Sequence, residues 1–347
     1  MSTCTPRSRR TRAAALLLGA VASLASCGGE DANSGTDRAT ITVYSGRSEA
    51  LVGDLIEQFT KDTGIEVEFR GGDSGELAAQ LITEGDASPA DVFFSQDGGA
   101  LGAMSKAGLL SKLDSSVVSA VPEQFRAADD TWVGTSGRSR VILYNSALVS
   151  DPPTGIDGVL EDRWRGEIGF APSNASFQSF VTGLRVLRGE HAAKEWLERF
   201  AALEPKAYEN NVAVRDAVDA GDIQLGLVNH YYLYEKIAEV GAAKVVAKNQ
   251  FLRGNDPGGL INVAGVGILK SSDNPEGAAR FVDFLLSRKS QEYFATTTFE
   301  YPLVTGIDAA PDIPPLTELD PPKVDLAQLD SIEATQELLA EVGLLQR

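Results

Sequence analysis

Apolar and polar positions follow two different periods after residue 38, which predicts strands that alternate with helices. Residues 39–46, ATITVYSG, are rich in β-branched side chains, and residues 48–64 place apolar side chains every three or four positions. Residues 65–69, IEVEF, alternate apolar and acidic side chains as a half-buried strand does. A further helix and the strand ADVFFS continue this order, which predicts a parallel sheet with helices on its faces.

Capping residues mark the predicted ends of these helices. Ser48 is placed as an N-cap and Gly64 as the residue that ends the first helix, because glycine accepts a left-handed conformation without strain. Asp73 and Glu76 have the spacing of a capping box at the start of the second helix.

A second run of strands and helices, from about residue 141 to residue 260, interrupts the first. We therefore predict an α/β protein with two lobes joined by two crossover hinge strands, near residues 133–142 and 259–268. Two such lobes can close over a ligand by hinge motion, which indicates a solute-binding protein. The predicted ranges are 39–135 with 265–347 for the N-terminal lobe and its helical C-terminal tail, and 136–264 for the C-terminal lobe.

The first residues have the pattern of a bacterial lipoprotein signal peptide. Four arginines and no acidic residue precede the apolar run 13–25, which is too short to span a bilayer. The run ends in LASC, which resembles a lipobox, although an ordinary signal peptide with an incidental cysteine has the same pattern. We expect a signal peptide over residues 1–26, lipidation at Cys27 and a flexible tether over 27–38. The protein is then expected outside the cytoplasm, anchored by lipid to the periplasmic side or the outer face of the cell membrane.

Charge and cysteine content limit the partners of the chain. The formal net charge is −18, and loss of the four signal-peptide arginines would make it −22, which repels nucleic acids and anionic lipid headgroups. Of the two cysteines, Cys4 lies in the predicted signal peptide, so no internal disulfide is expected. We predict a monomer that binds no nucleic acid.

Five loops rich in small and polar residues follow predicted strand ends. In parallel α/β sheets ligands bind outside these ends, and the helix N-termini that follow favour anions. Any one of these loops is more often an ordinary turn, but the five together favour a binding site. The loops are YSGRS (44–48), GGDSG (71–75), SQDGG (95–99), APSNAS (171–176) and NHYY (229–232).

The adjacent Tyr231 and Tyr232 are the candidate metal ligands. A turn between a strand and a helix would let the two side chains converge, and phenolate oxygens suit a hard ion such as Fe³⁺. The alternative is that one tyrosine packs in the core while the other reaches solvent. His230 is expected to form a hydrogen bond near the site or to face solvent rather than to bind metal, and His191 is expected on a surface helix.

In order and spacing, several segments resemble the bacterial periplasmic ferric-ion-binding proteins over nearly all of residues 39–308. They include ITVYSGRSE, SGRSRVILYN, WRGEIGFAPSNASF, VNHYYLY, DPGGLINVAGVGIL and FEYPL. The resemblance implies the type II periplasmic-binding-protein fold. It also implies that Tyr231 and Tyr232 bind Fe³⁺ with a synergistic carbonate or phosphate, and that the iron is delivered to the permease of an ABC importer.

The resemblance also implies the residues around the metal. The anion-binding positions match Asn174, Ala175, Ser176, Asn211 and Asn229. Arginine-assisted carbonate binding in some members makes Arg47, Arg138 and Arg140 candidates, with salt bridges between lobes as their alternative role.

Two departures from the family pattern reduce the number of protein ligands. Ser48 stands where many members have histidine, and Gln96 stands where some have glutamate. The third tyrosine that other members carry near Ser176 or Glu49 is also missing. Coordination of the metal would therefore depend more on the anion or on water, unless Asp97 or Glu49 supplies a carboxylate oxygen.

Two other functions are alternatives to iron binding. Related type II proteins bind thiamine, polyamines or phosphorylated organic anions, and the tyrosines would then stack on the ligand. An enzyme is not expected, because the chain contains neither G-x-S-x-G nor H-E-x-x-H.

Overall fold

A computed structural model describes residues 40–345 of the chain. The predicted signal peptide (1–26), Cys27 and the tether (27–38) lie outside the described residues. Within residues 40–345, no helix is both long enough and apolar enough to cross a membrane.

Strands and helices alternate over residues 40–106, as predicted, and elements of the same type also follow one another later in the chain. The strands are β1 (Thr40–Ser45), β2 (Glu66–Gly71), β3 (Val92–Ser95), β4 (Trp132–Asn145), β5 (Ile168–Phe170), β6 (Lys206–Ala207), β7 (Leu225–Asn229), β8 (Ala247–Phe251), β9 (Ile261–Ile268) and β10 (Tyr301–Pro302). The helices are α1 (Glu49–Thr63), α2 (Ser74–Glu84), α3 (Gly98–Lys106), α4 (Ser115–Ser119), α5 (Ala175–Arg188), α6 (Glu190–Ala202), α7 (Asn211–Ala220), α8 (Tyr231–Val240), α9 (Pro275–Leu286), α10 (Arg288–Thr296), α11 (Leu316–Leu319) and α12 (Ile332–Glu341).

The strands form one mixed sheet in the order β2-β1-β3-β9-β4-β7-β5-β6, with β8 and β10 also paired to β4. β1 pairs in parallel with β2 and β3, and β5 pairs in parallel with β6 and β7. β4 is antiparallel to its four partners. We call β1, β2, β3, β9 and β10 the N-terminal half of the sheet, and β5, β6, β7 and β8 the C-terminal half.

β4 runs through both halves. Its residues from Trp132 to Ser139 pair with β9, and its residues from Arg140 to Tyr144 pair with β7. The segments predicted to be crossovers, near 133–142 and 259–268, are thus occupied by β4 and β9. The division into lobes at the predicted boundaries stays a prediction.

Aromatic side chains fill the core on both sides of this junction. Phe59 meets Phe281 edge-on with ring centroids 5.0 Å apart, next to the N-terminal half of the sheet. Trp196 stacks on Phe200 at 5.2 Å, next to the C-terminal half. Because each fully buried aromatic side chain stabilises the fold by about 1.5–3 kcal/mol, such clusters hold each half together.

The predicted helix ends agree with the structure. Ser48 occupies the N-cap position of α1, although its side chain accepts no capping hydrogen bond, and Gly64 ends this helix with φ of 75°. The Asp73 carboxylate accepts hydrogen bonds from the backbone N–H groups of Gly75 and Glu76 at the start of α2.

The C-terminal segment contacts helices beside both halves of the sheet. A 3₁₀ turn over Leu326–Asp330 packs so closely on α3 that a Cβ atom at Gly102 would lie 2.7 Å from the Cα of Ala327. α12 then packs on α5, where the hydroxyl groups of Thr182 and Thr335 are 2.7 Å apart. The predicted helical tail is therefore part of the folded body.

Candidate functional site

A cavity of about 110 Å³ lies where β4 meets the loops that follow β3, β5 and β7. It brings together ten of the residues selected from the sequence. Its lining is Gln96, Asp97, Arg138, Arg140, Asn174, Ala175, Ser176, Ser179, Phe180, Asn229, Tyr231, Tyr232, Leu260 and Asn262.

Tyr231 and Tyr232 both line this cavity, with ring centroids 4.2 Å apart. They were predicted in the turn before a helix, but they are the first two residues of α8, and His230 occupies the turn. Burial, and then the neighbouring Tyr232, raises the pKa of Tyr231 well above 10. The Tyr231 phenol is therefore protonated at neutral pH.

The N-terminus of α5 forms a polar wall of the cavity. The Asn174 side-chain oxygen accepts hydrogen bonds from the Ser176 backbone N–H (3.0 Å) and from the Ser176 hydroxyl (2.7 Å). Asn211 lies behind this wall, outside the cavity lining, and donates to Asn174 and Ser176 at 3.0 Å each. The positive end of a 14-residue helix thus lies at the cavity, where it favours an anion.

Arg138 and Arg140 lie two residues apart on β4 and reach the same cavity, because alternate side chains of a strand share one face. Arg140 donates to the Ser176 hydroxyl (3.3 Å) and to the Leu227 carbonyl (2.8 Å). Burial lowers the pKa of Arg140 to about 10, so it stays positive at neutral pH. Arg138 donates to the backbone carbonyl of Gln96.

Arg47 and Ser48 do not line the cavity. The Arg47 guanidinium donates to both carboxylate oxygens of Glu300, at 2.8 and 2.6 Å, and to the side-chain oxygen of Gln96 at 3.0 Å. This buried ion pair joins two residues of the predicted N-terminal lobe, so it is not the salt bridge between lobes that was the alternative for Arg47. Ser48 and Glu49 are exposed at the start of α1.

The two remaining candidates come from the loop after β3. Asp97 caps α3 by accepting from the Ala100 N–H at 3.0 Å, and burial raises the pKa of its carboxyl group. The Gln96 backbone N–H donates to the Ser74 hydroxyl at 2.9 Å. The loops at 44–48 and 71–75 therefore support Gln96 from behind instead of lining the cavity themselves.

Comparison with known proteins identifies the family of this chain. Residues 45–292 match the bacterial extracellular solute-binding protein family. The chain belongs to this family. A Serratia marcescens relative named Fe(3+)-binding periplasmic protein is 37% identical over 88% of this chain and 90% of its own length. The Neisseria meningitidis major ferric iron-binding protein is 34% identical over 88% of this chain and 93% of its own.

Solved structures support the same assignment. Iron-bound HitA from Pseudomonas aeruginosa superposes with a TM-score of 0.82 at 34% identity, over 88% of this chain and all of HitA. The Trichodesmium protein IdiA (FutA), in complex with iron and citrate, gives a TM-score of 0.77 at 30% identity, over 88% of this chain and all of its own. The resemblance to periplasmic ferric-ion-binding proteins and the type II fold are thus confirmed.

The family also settles the class of activity. Its members are solute-binding transport proteins, so the prediction that this binding protein is not an enzyme is confirmed. Membership also agrees with the extracytoplasmic location expected from the sequence.

Several residues of the site were missed by the sequence analysis. Ser179, Phe180, Leu260 and Asn262 complete the cavity lining. Glu300, which lies in the quoted segment FEYPL, accepts hydrogen bonds from Arg47, Ser136 and Thr298. Within residues 40–345, no group of three or more His, Cys, Asp or Glu side chains could hold a metal ion.

The Arg47–Glu300 pair stabilises the wall of the cavity electrostatically. The two side chains are 0% and 2% exposed. Burial alone would raise the pKa of Glu300, but the charges of Arg47 and then Arg138, with the hydrogen bonds from Arg47, lower it overall. Removal of this carboxylate would leave a buried guanidinium without its counter-charge.

We predict that Glu300→Gln lowers the free energy of unfolding by about 3–5 kcal/mol, because it removes one partner of a buried pair. Since the folded-state pKa of Glu300 is lowered, its contribution is present above the unfolded glutamate pKa of about 4.3. The difference between variant and wild type should shrink as the pH falls through the lower folded-state pKa. Urea unfolding of both proteins at several pH values measures this difference.

The control for this variant is Glu68→Gln. Glu68 forms an ion pair with Arg70 at 2.8 Å, but both side chains are largely exposed. Solvent screens such a pair, so the unfolding midpoint of Glu68→Gln should equal that of wild type. Equal midpoints for Glu300→Gln and wild type at pH 7 would contradict the assigned role of the buried pair.

Proposed function

We propose that this binding protein captures Fe³⁺ together with a synergistic anion in the 110 Å³ cavity. The observation that carries the proposal is the convergence of two adjacent phenol groups, a helix N-terminus and two arginines on one small cavity. The names of the relatives, which refer to ferric iron, support it.

Tyr231 and Tyr232 are the proposed metal ligands. Fe³⁺ displaces the phenol protons on binding, because a bound cation strongly favours the charged form of its ligand. Asp97 is the nearest candidate for a carboxylate ligand, since it lines the cavity while Ser48 and Glu49 do not. The remaining coordination positions fall to the anion and to water.

The charges around the cavity support an anion that carries two negative charges. Fe³⁺, Arg138 and Arg140 supply five positive charges, whereas two phenolates and ionised Asp97 supply three negative ones. A dianion balances this excess, as carbonate or hydrogen phosphate does. We assign it to the α5 wall at Asn174, Ala175 and Ser176, with Asn229 on the cavity and Asn211 supporting the wall from behind.

The size of the cavity argues against the alternative ligands. Pockets for organic molecules of drug size usually enclose about 300–1,000 Å³. A cavity of about 110 Å³ fits an ion with a small inorganic anion better than thiamine, a polyamine or a sugar phosphate.

Closure of two lobes over the ligand is part of the proposal. The N-terminal lobe would comprise 39–135 and 265–347, and the C-terminal lobe 136–264, with β4 and β9 as hinge strands. The cavity lining comes from both ranges, for example Asp97 from one and Tyr232 from the other. A smaller radius of gyration on iron binding, measured by X-ray scattering, would test this motion.

Delivery and anchoring complete the proposed function. We infer that the loaded, monomeric protein passes iron to the permease of an ABC importer, which a transport assay in vesicles would test. Lipidation at Cys27 would hold it at the membrane surface, and the tether 27–38 would let it reach the permease.

The tyrosine assignment predicts a visible phenolate-to-iron charge-transfer band when Fe³⁺ and bicarbonate are added. Tyr231→Phe and Tyr232→Phe should each weaken the band and release about one proton fewer per iron, because each removes one ionisable ligand. The double variant should show no band. Absorption spectra and pH-stat titration measure both quantities.

Tyr234→Phe is the matched control. Tyr234 lies on the same helix but outside the cavity lining, and its hydroxyl donates to the Asp312 carbonyl at 2.8 Å. This variant should retain the full band. A band that survived in the double variant would remove Tyr231 and Tyr232 from the site.

The anion assignment predicts that iron binds weakly in buffer freed of carbonate and phosphate. Restoring either anion should strengthen binding at least tenfold in wild type. In Ser176→Ala this gain should be smaller, because the serine hydroxyl connects Asn174, Arg140 and Asn211. Equal iron affinity with and without anions, measured by competition with a chelator, would refute a synergistic anion.

The lipid assignment predicts that Cys27→Ser moves the protein from the membrane fraction to the soluble fraction in bacterial cells. Mass spectrometry of the wild-type protein should find the lipid on Cys27. A soluble wild-type protein would favour the ordinary signal peptide.

A further inference from the structure

One edge of β4 changes partners at the junction of the two halves. On this edge β10 pairs with Ser136 and Gly137, and β7 pairs from Arg140 onward, so Arg138 and Ser139 lie between the two partner strands. A buried strand edge without a neighbour leaves peptide groups unpaired, which costs stability.

His230 fills this gap. Its backbone N–H donates to the Ser139 carbonyl at 3.0 Å, which continues the β7 ladder by one residue. In a regular antiparallel ladder the Ser139 N–H would then donate to the His230 carbonyl. The chain turns into α8 at this point, and that carbonyl instead accepts from the Asn249 side chain at 2.8 Å.

The imidazole ring replaces the missing carbonyl. The Ser139 N–H donates to Nδ1 of His230 at 3.2 Å. The ring is fully buried and packs against Tyr301 of β10 at 4.9 Å and Phe251 of β8 at 6.0 Å between centroids. One side chain therefore contacts the strand that joins the halves and a strand from each half.

Burial, as the largest cause, lowers the pKa of His230 to about 4. Nδ1 also lies 3.3 Å from the Ser139 carbonyl oxygen, but that oxygen already accepts from the His230 backbone N–H. We assign the ring hydrogen to Nε2, which leaves the lone pair of Nδ1 for the Ser139 N–H. Nε2 itself has no hydrogen-bond partner among residues 40–345.

We propose that His230 is a positioning residue, whose imidazole stands in for a strand carbonyl at Ser139 and thereby holds the first turn of α8 in register with β4. Tyr231 and Tyr232 follow directly in that turn, so the same contact fixes both phenols relative to Arg138 and Arg140. The consequence for ligand retention rests on the proposed function, whereas the contact itself does not.

Two substitutions distinguish the contribution of the hydrogen-bond acceptor from that of the aromatic ring. His230→Phe retains an aromatic ring of similar size but offers no acceptor to Ser139. In His230→Asn, the side-chain oxygen is bonded to Cγ as Nδ1 is, so the acceptor is retained without the ring. The control is Tyr301→Phe, which keeps the ring against His230 and loses the hydrogen bond to the Pro314 carbonyl (2.8 Å).

Amide hydrogen exchange at Ser139 tests the contact in the ligand-free full chain. His230→Phe should speed this exchange at least tenfold relative to wild type, and His230→Asn should restore it to within about threefold. Tyr301→Phe should leave it within about threefold of wild type. Unchanged exchange in His230→Phe, or equal acceleration in Tyr301→Phe, would overturn the proposal.

The release of iron to excess chelator tests the consequence for the ligand. His230→Phe should release iron about tenfold faster than wild type, with an unchanged charge-transfer band per bound iron, and His230→Asn should release it nearly as slowly as wild type. A wild-type release rate in His230→Phe would refute the link to the phenols. Absence of any iron band in wild type would instead refute the proposed function, and Ser139 exchange would still decide the role of His230.

Discussion

The backbone of β4 imposes the main constraint on this protein. The strand is 14 residues long and buried over nearly its whole length, so its peptide groups need partners on both edges. β9 and β10 provide them in one half of the sheet, and β7 and β8 provide them in the other. Because alternate side chains share a face, the same strand that joins the halves presents Arg138 and Arg140 to one cavity.

Features that depend on neighbouring residues were predictable from the sequence. The strand–helix alternation, the α1 end at Gly64 and the Asp73 cap follow from periodicity and capping chemistry over a few residues. The loops that follow β3, β5 and β7 were selected because parallel strands bring their carboxyl ends together, and all three line the cavity. The two tyrosines were found for this reason, although they begin α8 instead of lying in the turn before it.

Features that depend on distant pairing were not predictable. Nothing near Arg47 in the sequence indicates Glu300, and nothing near His230 indicates that Ser139 lacks a strand partner on the edge of β4 away from β9. The short strands β6 and β10 consist of two residues each and carry no periodic pattern. Arg47, Ser48 and Asn211 were selected by their matches to a family pattern, and none of the three is part of the cavity lining.

The Arg47–Glu300 pair also bears on the order in which the chain can fold. The two residues are 253 positions apart, so a growing or translocating chain exposes Arg47 long before Glu300 emerges. Until then the pocket around Arg47 would bury a cation with no counter-charge, which opposes its closure. β9, the partner of β3, also arrives late in the chain. The N-terminal half of the sheet can therefore complete its core only after β9 and Glu300 have been synthesised. This late completion is compatible with export of the chain in an unfolded state.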